Sequence, residues 1–149
     1  MSIIRMLVLF LVVSASARGQ VRKTVFNHVA FYVKELKRST VFYKEIIGLD
    51  TIPEPFKDGR HTWFSVGPKA HLHIIEGGNY DPRPKDKSMH FCFSVDDVEA
   101  FVRRLERAGI PYEDAGGRKQ TITRRVDGVK QIYIQDPDGF WLEINDARE

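Results

Sequence analysis

Residues 27–49 read NHVAFYVKELKRSTVFYKEIIGL, a run of β-branched and aromatic residues followed by apolar residues at helical spacing. The first part is typical of a β-strand. The apolar residues of the second part recur every three or four positions and end at Gly48, a natural helix stop. The stretch therefore predicts a strand followed directly by a helix.

Three further strand candidates follow this helix, at residues 50–53, 62–66 and 71–76. Together with the first strand and the helix they predict one βαβββ module over residues 25–76. The next segment, GGNYDPRPKDK at residues 77–87, has Gly, Pro and mixed charges without apolar periodicity, so it is predicted to be a linker.

The pattern then restarts over residues 88–146. A strand is predicted at 89–95 (MHFCFSV), then a helix with Asp96 as its N-cap and Gly109 as its end. A short strand near Tyr112 and strands at 129–135 and 140–145 complete this half. His28 and His90 lie 62 positions apart, as do Val33 and Val95. We predict an α+β fold in which two paired βαβββ modules form an incomplete barrel.

Length, charge and cysteine content narrow the function classes. The chain has 149 residues, is 42% hydrophobic, and carries a mild net charge of +3. This charge is too small to suggest a concentrated basic face, so no nucleic-acid partner is expected. Cys92 is the single cysteine, which excludes an internal disulfide and a zinc site of several thiolates.

The N-terminus, MSIIRMLVLFLVVSASARGQ, resembles an export signal. One basic residue, Arg5, precedes an apolar run that is too short to remain as a membrane anchor, and small residues follow it. We expect a cleavable signal peptide at residues 1–19, a secreted or periplasmic bacterial protein, and no membrane association after cleavage.

Four side chains form the candidate metal site. His28 and His90 begin matching strands of the two halves, and His73 and Glu143 lie on the last strand of each half. Three imidazoles and one carboxylate that converge would suit a divalent transition metal such as Zn, Ni, Fe, Mn or Co. His71 shares the predicted face of His73 and is the alternative ligand at that position.

The chain resembles the vicinal oxygen chelate superfamily, which includes glyoxalase I, extradiol dioxygenases and bleomycin-binding proteins. The resemblance rests on the stretch at 27–49, on HLHIIEG and MHFCFSV, and on QIYIQDPDGFWLEI at 131–144. Its most specific element is the DPDG turn followed by Glu143 on the next strand. The resemblance covers nearly all of the chain after residue 25.

The resemblance implies metal ligands at His28, His90 and Glu143, a small-molecule substrate and a homodimer. The position matching His73 is typically Glu in glyoxalase I and Gln in methylmalonyl-CoA epimerase, so this chain departs from both. Three function classes follow. The first is a glyoxalase-I-like lyase or isomerase that stabilises an enediolate, the second is an Fe(II) extradiol-type dioxygenase, and the third is a non-catalytic drug-binding protein.

Further residues are candidates for catalysis and substrate binding. If Glu143 loosens from the metal and has a raised pKa, it is our candidate base for abstracting a proton next to a carbonyl. Cys92 is expected to be a small buried residue. A basic loop offers arginine forks for an anionic substrate. The predicted pocket walls are Trp63, Phe64, Tyr133 and Trp141, and the loop residues are Arg118, Lys119, Arg124 and Arg125.

Overall fold

A computed structural model describes residues 23–148 of the chain. The predicted signal peptide at residues 1–19 lies outside the described residues. No helix within the described part is long and apolar enough to cross a membrane.

The first half of the chain forms a four-stranded mixed sheet, in agreement with the predicted module. Its strands are β1 (His28–Val33), β2 (Thr51–Ile52), β3 (His61–Gly67) and β4 (Ala70–Glu76). Their order across the sheet is β1-β4-β3-β2, with β1 parallel to β4 and the other pairs antiparallel. We call this sheet 1.

The second half repeats the arrangement as sheet 2. Its strands are β5 (His90–Ser94), β6 (Thr123–Arg124), β7 (Lys130–Gln135) and β8 (Trp141–Asn145), in the order β5-β8-β7-β6. The two sheets do not close into a barrel, so the α+β class and the incomplete closure are as predicted.

One helix follows the first strand of each sheet. Helix α1 (Leu36–Val41) continues as a π-helical segment (Phe42–Ile47) and ends at Gly48, whose φ of 93° is left-handed. Helix α2 (Val98–Ala108) begins after Asp97, whose side chain accepts a hydrogen bond from the Ala100 amide at 2.9 Å. The predicted N-cap, Asp96, was therefore one residue too early.

The loop between α2 and β7 also differs from the prediction. Near Tyr112 the chain forms no strand within the described residues, and only Glu113 pairs in isolated bridges with Lys119 and Tyr133. The short strand β6 lies further along the chain, where Thr123 and Arg124 pair antiparallel with Gln131 and Lys130 of β7.

Both modules share one hydrophobic core. The inward faces of the sheets and the two helices contribute to a single cluster of buried residues that includes Val33, Phe64, Leu105 and Ile144. Phe31 of β1 stacks on Phe91 of β5, with ring centroids 5.3 Å apart. Burying these faces against each other leaves the opposite faces of the sheets available for a site.

The DPDG turn connects the modules through buried carboxylates. Asp136 accepts a hydrogen bond from the Tyr43 hydroxyl at 2.7 Å, and Asp138 accepts one from the Ser39 hydroxyl at 2.6 Å. Gly139 has a φ of 82°, which a residue without a Cβ adopts freely. The turn therefore fixes the register of β8 and also docks the α1 helix of the other module.

Strand register confirms that the halves are equivalent. His73 lies between Ala30 and Trp63 in sheet 1. Glu143 lies in the matching place of sheet 2, between Cys92 and Tyr133. The repeat inferred from the 62-residue shift therefore places His73 and Glu143 at corresponding positions.

Candidate metal centre

The four predicted ligands fall into two pairs, one on the outward face of each sheet. In sheet 1 the rings of His28 and His73 stack with centroids 4.4 Å apart. In sheet 2, Nε2 of His90 lies 3.2 Å from Oε2 of Glu143. Over residues 23–148, no three or more His, Cys, Asp or Glu side chains come close enough together to hold a metal ion. The single chain thus presents two separate pairs of candidate ligands, and we call each pair a half-site.

His73 is the most constrained of these residues. Its ring is sandwiched between His28 and the Trp63 indole, which stacks on it at 3.9 Å with a 3° interplanar angle. Its Nε2 is buried and has no hydrogen-bond partner within the described chain. Burial, together with the neighbouring His28, lowers the pKa of His73 to about 4. The ring is therefore neutral at pH 7, as a metal ligand must be.

His28 and His90 are oriented in the same way. The Nδ1 of His28 lies 2.7 Å from the Asn27 side-chain oxygen, and the Nδ1 of His90 lies 2.9 Å from the Lys87 carbonyl oxygen. Nε2 of His90 faces the Glu143 carboxylate, 3.2 Å away. Since the oxygens beside Nδ1 only accept, Nδ1 of each ring donates to its partner. Metal-binding histidines typically show this arrangement.

Glu143 is buried and held as a carboxylate. Oε2 accepts a hydrogen bond from the Tyr133 hydroxyl at 2.6 Å, and Oε1 accepts one from the Asn145 amide at 2.9 Å. Burial alone would raise the pKa of Glu143, but these hydrogen bonds and the nearby His90 outweigh it and lower the pKa. The raised pKa that we expected of a catalytic base is therefore not found, because donors surround the carboxylate.

The donor set fits a divalent transition metal. The set has three imidazoles and one carboxylate. The Nε2 of His73 is buried without a partner in the described chain, and the lowered pKa of Glu143 keeps its carboxylate ionised at neutral pH. The ring of His71 lies 6.0 Å from that of His73, so it does not share the stack of His73 with Trp63. The buried Nε2 without a partner favours His73 over His71 as the candidate ligand.

The predicted pocket walls differ in their positions. Trp63 and Tyr133 contact the candidate ligands directly, as described above. Trp141 pairs with His90 in the β5–β8 register, and its Nε1 donates to the Lys85 carbonyl. Phe64 was wrongly assigned to the pocket: it is fully buried on the core face, because alternate residues of β3 point to opposite sides.

The basic loop is mostly neutralised by neighbours. Arg118 pairs with Asp114, Lys119 with Glu113, and Arg124 donates to the Gly128 carbonyl. Arg125 alone of the four approaches the half-site: its Nη1 lies 4.0 Å from Glu143 Oε1, while its Nη2 pairs with Asp127 at 2.6 Å. Of these four basic residues, Arg125 is therefore the one that lies near the candidate site.

Cys92 lies beside the second half-site. It is exposed rather than buried, and its Sγ accepts a hydrogen bond from the Asn145 amide at 3.1 Å. Desolvation of the Sγ by its neighbours and the adjacent Glu143 raise the pKa of the thiol to about 11, so it is protonated at neutral pH.

Sequence reasoning missed the residues that orient the ligands. Asn145 could have been found, because it lies two positions after Glu143 on the same strand and therefore on the same face. Asn27 directly precedes His28. The Lys87 carbonyl gave no signal in the sequence, since any residue type could supply it.

Comparison with known proteins agrees with the fold. The model of the Glyoxalase/Bleomycin resistance protein/Dioxygenase superfamily matches residues 25–144, and the chain belongs to this superfamily. The lactoylglutathione lyase of Pseudomonas putida is 28% identical over 166 residues, covering 89% of this chain and 90% of that protein.

Two further similarities concern different activities. The metallothiol transferase FosB of Shouchella clausii is 28% identical over 122 residues, covering 80% of this chain and 77% of that protein. The solved structure of the oxidase ChaP-H1 is 28% identical with a TM-score of 0.68, covering 85% of this chain and 98% of that one. Membership in the superfamily is thus shown, whereas these relatives bear names of three distinct reactions.

Proposed function

We propose that the protein is a metal-dependent lyase or isomerase of the glyoxalase type, acting on a small substrate with adjacent oxygens. The observation that carries the proposal is the buried Nε2 of His73, which has no hydrogen-bond partner within the described residues. An unsatisfied polar atom in a buried position costs free energy, and a metal ion would satisfy it. The lactoylglutathione lyase among the relatives supports this class.

The metal would be held by His28, His73, His90 and Glu143. Zn, Ni, Fe, Mn and Co all accept this mixture of nitrogen and oxygen donors. When bound, such an ion acts as a Lewis acid that stabilises negative charge developing on substrate oxygens.

Two copies of the chain would complete the site. Each copy offers one half-site on sheet 1 and one on sheet 2, at equivalent positions of the repeat. In a two-fold symmetric dimer, the His28–His73 pair of one copy faces the His90–Glu143 pair of the other, and two identical sites form. Exposed apolar residues next to the histidines, Phe26 at 67% and Met89 at 78%, would be covered by such an interface.

The remaining site residues would bind and orient the substrate. Trp63 and Trp141 offer flat apolar walls that exclude water, and Arg125 offers a guanidinium to an anionic group. We propose Glu143 as the catalytic residue, which would leave the metal when substrate binds and then take up the proton next to the carbonyl. It is ionised and so able to accept a proton, and the Tyr133 hydroxyl fixes its orientation.

An Fe(II) dioxygenase is the second candidate. His28, His90 and Glu143 form a two-histidine, one-carboxylate set, the arrangement used by many non-haem Fe(II) oxygenases. The similarity to the oxidase ChaP-H1 favours this alternative.

Metal analysis and two assays distinguish these functions. Protein purified without chelator is expected to contain about one divalent metal per chain, and His73→Gln and His90→Gln are expected to lose it. His61→Gln is the matched control. His61 also lies on sheet 1, but its Nδ1 pairs with Asp58 at 2.8 Å and it is not one of the candidate ligands. Isomerisation of hemithioacetals supports the lyase, whereas oxygen uptake with catechols supports the dioxygenase. Wild-type protein that binds no added metal would refute both and favour a small-molecule binding protein.

A further inference from the structure

A cavity of about 580 Å³ lies beside the linker, next to aromatic residues that join the two modules. Segment 81–89, which comprises the end of the linker and the two residues before β5, forms much of its wall. Phe91 of β5 and Phe140 of the DPDG hairpin supply aromatic rings. The volume is within the range of about 300–1,000 Å³ that is typical of small-molecule sites. The pocket walls proposed above do not line this cavity, so it is a separate feature.

Both modules hold the aromatic part of the wall in place. The Phe140 ring centroid lies 4.4 Å from that of Phe31 in β1 and 6.3 Å from that of Phe91. The Phe140 amide donates a hydrogen bond to the Asp136 carboxylate at 2.8 Å. The rings are therefore positioned by the same turn that docks α1, and such rings pair favourably with a further aromatic ring.

Segment 81–89 is fastened against these rings. The Lys85 ammonium lies 5.1 Å from the Phe140 ring centroid and donates to the Asp81 carbonyl at 2.6 Å. The Lys85 side chain is only 16% exposed. Its backbone carbonyl accepts the hydrogen bond from Trp141 Nε1. The cavity is thus formed before any ligand binds, which lowers the cost of ordering on binding.

The charged groups around the cavity pair with groups of the same segment. Asp81 accepts two hydrogen bonds from Arg83, at 2.9 and 2.8 Å. Asp86 accepts hydrogen bonds from the Ser88 amide and hydroxyl, at 2.9 and 2.8 Å. Among the described residues, two acidic and two basic side chains line the cavity, so their formal charges cancel. A charged molecule would lose hydration there without gaining a free counter-ion, whereas an apolar ring loses little.

We propose that this cavity binds an uncharged aromatic small molecule, whose ring packs against Phe91 and Phe140. His90 also lines the cavity, so the bound molecule lies beside the second half-site. The inference goes beyond the proposed function and needs no metal ion, so metal-free protein tests it. A second copy of the chain is the competing occupant, because Met89 lines the cavity and is 78% exposed.

Two tryptophan variants of the linker region test the location. The probe is N-phenyl-1-naphthylamine, an uncharged molecule whose fluorescence rises in apolar surroundings, titrated into the full chain. Ser88 is exposed and lines the cavity, so Ser88→Trp should fill it and weaken binding about 10-fold or more. Asn79 is exposed on the same linker but does not line the cavity, so Asn79→Trp should change the affinity less than about 3-fold.

Wild type should bind one probe per chain with saturation. Absence of saturable binding, or equal losses in the two tryptophan variants, would overturn the proposal. Binding that weakens as the protein concentration is raised would show that a second copy occupies the cavity, and would overturn it too.

Two displacing molecules and one ring variant test the chemical class. 2-Naphthol, which is uncharged at pH 7, should displace the probe at lower concentration than 2-naphthalenesulfonate, its anionic counterpart. The reverse order would contradict an uncharged ligand. Phe140→Leu keeps an apolar side chain but removes the ring, so it should weaken 2-naphthol binding about 2- to 10-fold. Unchanged affinity in this variant would refute the packing against Phe140.

A measurement on wild type alone keeps the test independent of how the variants fold. The Met89 methyl signal of ¹³C-methionine-labelled protein, assigned by comparison with Met89→Leu, should shift on saturation with 2-naphthol, because ring currents act at short range. A Met89 signal that stays in place while the probe is displaced would show binding elsewhere and overturn the proposal.

Discussion

A mixed dimer gives the sharpest test of a site shared between two copies. One chain carries His28→Ala and His73→Ala, which removes the half-site of sheet 1. The other carries His90→Ala and Glu143→Gln, which removes the half-site of sheet 2. The two chains are co-expressed with different affinity tags, and only dimers that carry both tags are purified.

The expected result follows from two-fold symmetry. A wild-type dimer has two complete sites, and each parent variant dimer has none, because every site lacks one pair of donors. In the mixed dimer, the intact sheet 1 of one chain faces the intact sheet 2 of the other, so one site is complete and one lacks all four donors. Metal content and activity should therefore return to about half of the wild-type value.

Elemental analysis and the hemithioacetal assay measure this recovery, with wild-type dimers that carry both tags as the reference. If the four ligands instead meet within one chain, both chains of the mixed dimer are defective, and neither metal nor activity returns. A mixed dimer that binds no metal, while the wild-type dimer binds two ions, would refute the shared site.

Three further predictions concern single features. Tyr133→Phe removes the hydroxyl that donates to Glu143, so the pKa of Glu143 should rise and Zn²⁺ binding, followed by calorimetry, should be lost at a higher pH than in wild type. Burial raises the pKa of Asp136 to about 6, above its unfolded value, so its contribution to stability is present below pH 4 and lost as the pH rises through 6. At one fixed protein concentration, the free energy of unfolding of wild type, measured in urea, should fall by about 3 kcal/mol as the pH rises through 6. Asp136→Asn should remove this fall. If the proposed export to the periplasm occurs, mass spectrometry of the exported protein should show loss of about the first 19 residues.

Each of these predictions has a result that contradicts it. An unchanged pH profile in Tyr133→Phe would mean that its hydroxyl does not stabilise the Glu143 carboxylate. Equal pH dependence of unfolding in wild type and Asp136→Asn would show that Asp136 titrates normally. Full-length protein in the cytoplasm would refute the signal peptide.

Most of the fold could be predicted from local sequence. A strand with alternate apolar residues and a helix that ends at Gly48 each have a signature within a few residues, and the 62-residue repeat then supplies the second module. The ends of helices and strands were predicted less accurately. Asp97 caps α2 in place of the predicted Asp96, because backbone geometry decides which side chain reaches the Ala100 amide.

The sequence by itself determined the α+β class, the two modules, and which face of each strand carries His28, His73, His90 and Glu143. These follow from periodicity, and strand alternation transmits them directly to the sheet. The tertiary structure decided that these residues form two separate pairs in one chain, since that depends on how the sheets pack around the shared core. It also decided the charge on Glu143 and the hydrogen-bond partner of His90 Nδ1. Both depend on how the folded backbone brings neighbouring groups within hydrogen-bond distance. These groups are the Tyr133 hydroxyl on the adjacent strand and the Lys87 carbonyl three residues before His90, and no pattern of residue types encodes these distances.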